Sequence, residues 1–198
     1  MGPGPFGTCG AWPREYAESA AQGGARMTIY TIGHSTGPIE AFVATLRSHD
    51  VTAVADVRRF PGSRRHPQFG QDALRRSLAD AGIAYEHFPE LGGRRRPRPD
   101  STNTAWRVEA FRGYADYMET PAFEQGIERL LDFGHRHRVA ILCAERVWWS
   151  CHRGLIADVL KNRSHEVLHI MSSERAEPHP FTAAARIIDG QLSYRGLL

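Results

Sequence analysis

Two periods organise the apolar positions of this chain. Short continuous apolar runs at Thr28 to Ile32, Val51 to Val57, Ile83 to Phe88, Val139 to Leu142 and Glu166 to Met171 read as strands, the most apolar of them covered on both faces. Between them apolar residues recur at helical spacing. Ile39, Phe42, Val43 and Leu46 predict a helix with Pro38 in its first turn, running to about Ser48. Asp72 is expected to cap a helix from Ala73 to Ala81 that Gly82 ends. Arg107 to Met118 and Thr120 to Phe133 predict two more, the second opened by Thr120 as N-cap and Pro121 as first position. After Val139 to Leu142, Ser150 is the expected N-cap of a helix with Leu155, Ile156, Val159 and Leu160 inward. Ile187 to Tyr194 resembles a small hairpin turning at Asp189 and Gly190.

Strands alternating with helices predict one Rossmann-like α/β domain, a mainly parallel sheet flanked by helices. Thr28 to Val57 would be a βαβ unit. Residues 1–26, rich in Gly, Ala and Pro without a period, read as a disordered N-terminal extension, leaving 27–198 as the domain. Leu91 to Pro99 is too rich in Gly and Pro for regular structure, and with Asn103 and Trp106 it is expected to be a lid or a disordered excursion.

Composition changes this picture little. The chain is 41% hydrophobic and 24% charged, as in a soluble globular protein. No apolar run approaches the roughly 20 residues of a membrane span, so no membrane is expected as a partner. No signal peptide is expected either. Three cysteines, an odd number, argue against a disulfide framework and fit a cytoplasmic location. Charge is more informative. Lys161 is the only lysine among 25 basic residues, which reads as a bias of the genome. Ten arginines against four acidic residues lie between Arg58 and Arg98, so the basic surplus is concentrated there. Such a segment is either a solvated surface or a footprint for a polyanion.

The strand ends carry the chemistry. Open α/β sheets bind ligands outside the carboxyl ends of their strands. His34 and Ser35 follow the first strand, Asp56 and Arg58 end the second, and Cys143 and Glu145 end the strand at Val139. With Ser150 as cap, Cys151, His152 and Arg153 would fall in the first turn of the next helix, where free N–H groups favour an anion.

Ile32-Gly33-His34-Ser35, Asp56-Val57-Arg58 with Pro61 and Ser63-Arg64, Leu91-Gly92-Gly93, Cys143-Ala144-Glu145 and Cys151-His152-Arg153, in that order, resemble the DUF488 family over roughly Met27 to Ile170. The family is named for its unknown function, so the resemblance implies an α/β fold and a shared site without supplying a reaction. Val147-Trp148-Trp149 stands where the resemblance implies a more polar linker.

Three readings of the site follow. The favoured one is an enzyme acting on a phosphate-bearing nucleotide or nucleic acid. Asp56 and Glu145 would divide acid and base roles, and His34, Cys151 and His152 would support or share the catalysis. Arg58, Arg64 and Arg153, with Ser35, would hold the anion, and Trp148 and Trp149 would stack a base. The second is a cysteine-dependent enzyme on a small molecule, with Cys151 made more acidic by His152 and Arg153 and with Cys143 resolving it. The spacing is neither C-x-x-C nor the Cys-x5-Arg loop of cysteine phosphatases. The third is a non-catalytic nucleic-acid module using Arg94, Arg95 and Arg96 as an electrostatic arm. Cys143, Cys151, His152 and His34 could form a zinc set, but they lack the paired short spacings of structural zinc sites, so no metal and no cofactor are expected.

Overall fold

The computed structural model describes residues 26–62 and 65–196. Five parallel strands and one antiparallel edge strand form the main sheet. They are β1 (Thr28–Gly33), β2 (Ala53–Asp56), β3 (Ala84–His87), β4 (Val139–Cys143), β5 (Glu166–Ile170) and the edge strand β6 (Ala176–Pro178), in the order β3-β2-β4-β1-β5-β6. The helices are α1 (Ile39–Ser48), α2 (Gln71–Asp80), α3 (Glu109–Met118), α4 (Pro121–Arg136) and α5 (Arg153–Asn162). A separate hairpin of β7 (Arg186–Ile188) and β8 (Gln191–Ser193) turns at Asp189 and Gly190, both at positive φ, as the sequence signal predicted.

Two apolar cores flank the sheet. Phe42 and Leu46 of α1 and Leu74 and Leu78 of α2 pack with Tyr30, Ile32 and Val54 on one face. Residues of α3, α4 and α5, among them Tyr114, Phe123, Ile127, Leu155 and Ile156, cover the other with Ile29, Ala55 and Ile141. Every residue of β4 is buried, because this strand lies at the sheet centre between β2 and β1. The segments that follow β2 and β4 lead to helices on opposite faces. This divergence of neighbouring strands opens a crevice at their carboxyl ends.

Several boundaries differ from the sequence pattern. Ser150 is not a helix cap: it belongs to a short 3-10 turn, Trp148–Ser150, and its hydroxyl bonds back to the Val147 carbonyl. Cys151 follows in extended backbone, and α5 begins only at Arg153 with His152 as its N-cap. Asp72 lies in the first turn of α2 rather than capping it. β4 separates β1 from β2, so the first βαβ unit spans a gap. The Pro-rich loop after Gly93 is not a disordered excursion. Asp116 of α3 accepts from the Arg98 backbone, the Ser101 hydroxyl and the Asn103 amide, which ties the loop to the helix. The expected extension, residues 1–26, lies almost wholly outside the described residues.

Candidate functional site

A cleft of about 260 Å³ opens at the carboxyl ends of β2 and β4. Cys143, Cys151 and His152 line it together with the segment from Arg58 to Phe60, Gly93, Arg94, Glu145 and the α3 residues Phe111 and Tyr114. Among the described residues its charged lining is mostly basic, with Glu145 the one carboxylate.

The sulfur of Cys151 is held by a converging set of donors. Arg153 directs its backbone N–H at 3.5 Å and its side-chain Nε–H at 3.4 Å to Sγ. The same guanidinium donates to the Glu145 carbonyl at 2.5 Å, which fixes its plane. Nδ1 of His152 lies 3.6 Å from the Cys151 sulfur and 3.9 Å from that of Cys143. The other ring nitrogen, Nε2, donates to the Val57 carbonyl at 3.1 Å, so Nδ1 is presented to the two sulfurs. Burial opposes a thiolate at Cys151, but donors from Cys143, His152 and Arg153 outweigh it and hold this thiol well below the ordinary value. The neighbouring Cys151, together with burial, pushes the Cys143 thiol well above.

Glycines make this assembly possible. A Cβ on Gly93 would stand 2.8 Å from Nδ1 of His152, and one on Gly33 would stand 1.9 Å from the Glu145 carbonyl oxygen. Only backbone fits at either place.

The other sequence candidates have different surroundings. Asp56 is fully buried and paired with Arg58, whose Nε and guanidinium NH2 donate to its two carboxylate oxygens at 2.8 and 2.6 Å. The Arg58 backbone N–H and the Tyr85 hydroxyl add two more bonds. Asp56 and Glu145 therefore do not face each other across the cleft, because the first is enclosed and only the second is open to it. His34 donates from Nδ1 to the Ser35 carbonyl, accepts from Arg58 at Nε2 and stacks on Phe69 at 4.2 Å. Burial, first, and then the Arg58 charge lower its pKa to about 4. Ser35, at positive φ, bonds through its N–H to the Ala144 carbonyl. Arg153 is buried and spent on Cys151 and Glu145, so it offers no free arm for a phosphate. Trp148 stacks on His169 at 4.4 Å and Trp149 packs edge-on against it, so neither lines the cleft. Arg95 lies over the Tyr117 ring at 3.6 Å and bonds to the Gly92 carbonyl, Arg94 lines the cleft, and Arg96 is exposed. Arg64 lies outside the described residues.

Sequence reasoning missed Arg59, Phe60, Phe111 and Tyr114, which complete the cleft walls. Arg59 and Phe60 directly follow Arg58, whereas nothing in the predicted helix from Arg107 to Met118 marks Phe111 and Tyr114 as cleft residues. It also missed a buried relay in which the Thr31 hydroxyl, His169, His179 and the Asp158 carboxylate are bonded in series, with Thr182 and Tyr194 donating to Asp158. This relay ties β1, β5 and the C-terminal segment to α5.

Cys143 Sγ, Cys151 Sγ and His152 Nδ1 lie within 4.8 Å of one another, three atoms that could hold a soft divalent cation. His34 is not among them, since its ring nitrogens serve Ser35 and Arg58.

Fold and site together define an open α/β protein with a thiol-bearing basic cleft at the point where neighbouring strands diverge. The chain belongs to the DUF488 family (domain of unknown function DUF488), whose family model matches residues 38–160. The match includes Asp56, the glycine pair and both cysteines but begins after the His34 turn, so it is narrower than the motifs suggested. No curated protein and no solved structure matches the chain. Among the described residues no helix is long and apolar enough to cross a membrane.

Proposed function

We propose that this protein is a thiol-dependent enzyme in which the Cys151 sulfur attacks an electrophilic atom of a small anionic molecule held in the cleft. The observation that carries this reading is the pair of N–H groups from Arg153 aimed at a sulfur on the cleft wall. Hydrogen bonds to an ionised sulfur stabilise the nucleophilic form and not the thiol. Arg59 and Arg94 would bind the anionic end, and Phe60 and Phe111 would contact an apolar part. Glu145, open to solvent at the rim, is the residue placed to move a proton to or from substrate. A phosphate-bearing nucleotide remains within this class. A nucleic-acid polymer is less favoured, because Arg95 is committed to Tyr117 and Gly92 and Trp148 is stacked on His169.

Alkylation with mass mapping tests the reading. Cys151 should react at pH 6 far faster than a free thiol. Relative to free cysteine, it should also favour anionic iodoacetate over neutral iodoacetamide, and Arg59→Ala with Arg94→Ala should abolish that preference. Mononucleotides or inorganic phosphate should protect it. If Cys151 reacts no faster than a free thiol, the proposal fails. If single-stranded DNA binds with steep salt dependence and leaves Cys151 reactivity unchanged, the binding-module reading replaces it.

A further inference from the structure

We infer that Cys143 and Cys151 are a working dithiol couple, and that the small molecule this cleft serves is a disulfide bearing anionic groups. The inference rests on Cys151 being the nucleophile and adds the identity of its electrophile. Cys143 is the last residue of β4 and Cys151 follows the short turn after it, so the chain doubles back and brings the two sulfurs within 4.8 Å. Both are free cysteines lining the same cleft. An S–S bond would bring the two sulfurs to roughly 2 Å. A cysteine needed only for packing has no reason to meet a second sulfur and an imidazole nitrogen together.

His152 supplies the step that such a couple requires. Cys143 is held as a neutral thiol, so it needs a base before it can attack. Because Nε2 donates to Val57, Nδ1 is the nitrogen that faces both sulfurs; once it has passed the proton it shares with Cys151 to the first leaving thiolate, its lone pair stands 3.9 Å from the Cys143 sulfur. The cycle then balances. The Cys151 thiolate attacks one sulfur of RS–SR, forming Cys151–S–S–R and releasing RS⁻. Cys143 passes its proton to Nδ1 and attacks the Cys151 sulfur. The first RS⁻ takes the proton that Nδ1 shared with Cys151, and the second leaves with the proton that Cys143 passed to Nδ1. Two protein sulfurs have lost two electrons in total, and one disulfide has become two thiols. An external dithiol reverses the change. Arg59 and Arg94 are the groups that would favour a carboxylate-bearing disulfide over a neutral one.

The experiment uses the full chain, oxidised glutathione as the anionic disulfide and hydroxyethyl disulfide as the neutral one. Intact mass and peptide mapping are the readouts. The wild type should lose two hydrogens and yield one cross-linked Cys143–Cys151 peptide pair, reversed by dithiothreitol, at least tenfold faster with the anionic reagent. Cys143→Ser should stop as a mixed disulfide on Cys151, and His152→Gln should accumulate the same adduct before closing slowly. Circular dichroism verifies that each variant folds, and the wild-type cross-link needs no variant. If the wild type stops at the mixed disulfide, the couple is wrong while the nucleophile stands. If Cys151 does not react, both fall. If the purified chain holds about one equivalent of zinc and its thiols react only after chelation, the three atoms are a metal site and the couple is overturned.

Discussion

Gly93 is seated against the imidazole of His152, so close that a single methyl group on its backbone would fall 2.8 Å from Nδ1. The ring cannot retreat freely, because its far nitrogen is bonded to Val57 and its face lies 5.1 Å from Tyr114. Gly93→Ala should therefore displace His152 from the two sulfurs. Overpacking of this kind costs about 1–3 kcal/mol. We expect alkylation of Cys151 at pH 6 to slow about tenfold, with Gly37→Ala, where nothing lies within 4 Å, as a silent control. Equal rates in the two variants would remove the supporting role of His152.

Arg153→Gln tests the donor that faces Cys151. The thiol is held below its ordinary value in the folded chain, so lowering the pH toward neutrality should leave it ionised and the wild-type alkylation rate flat. Without the Nε–H the midpoint should move upward, and the rate should climb with pH. A hydrogen bond to a charged group contributes about 1.5–3 kcal/mol, so at pH 6 the variant should be about tenfold slower or more. Rate–pH curves for the two proteins check this, and superimposable curves would refute it.

Asp56→Asn should unfold the protein more readily rather than silence it selectively. It leaves a buried guanidinium without its anion, a loss of about 3–5 kcal/mol in comparable pairs. Tyr85→Phe removes one bond to the same carboxylate and should cost about 1 kcal/mol. Urea unfolding separates the two. An Asp56→Asn variant with native stability but no thiol reactivity would instead place Asp56 in the chemistry.

Acid should weaken the fold through His34. The unfolded chain takes up this proton near pH 6.5, whereas the folded ring resists until about 4. The contribution is complete above pH 6.5, declines as the pH falls through that window, and levels off below 4. His169, with a pKa lowered to about 2 by burial and by His179, extends the decline further into acid. Urea midpoints between pH 7 and pH 4 should fall steadily, and His34→Gln should flatten the slope. An NMR titration showing His34 protonating near 6.5 would refute this.

What the sequence revealed, and what it hid, follows from range. β4 was legible because a short run of consecutive apolar residues, partly β-branched and bounded by polar segments, fits a doubly covered strand, and the hairpin because Asp189-Gly190 encodes its own turn. The meeting of Cys143, Cys151 and His152 was visible in outline, since all three lie within ten residues. Its geometry was not: Ser150 looked like a cap, yet the Trp148–Ser150 turn delays the helix and leaves Cys151 in extended backbone. Asp56 and Arg58 looked like active-site groups because they end a strand. Only the burial created by β3 and Phe69 shows that they satisfy each other. The Asp116 anchor of the basic loop depends on α3, up to 18 residues from the groups it holds, and carried no local signal.

The bond from His152 to the Val57 carbonyl joins groups 95 residues apart. Neither the short segment around Cys151 nor any fragment lacking β2 can hold that imidazole in place. The share of the sulfur's acidity that His152 contributes thus depends on chain closure, and it should appear during refolding only when β2 and β4 come together. A thiol-reactive dye would then report sheet assembly as it happens, with the protein's own cysteine as the built-in clock.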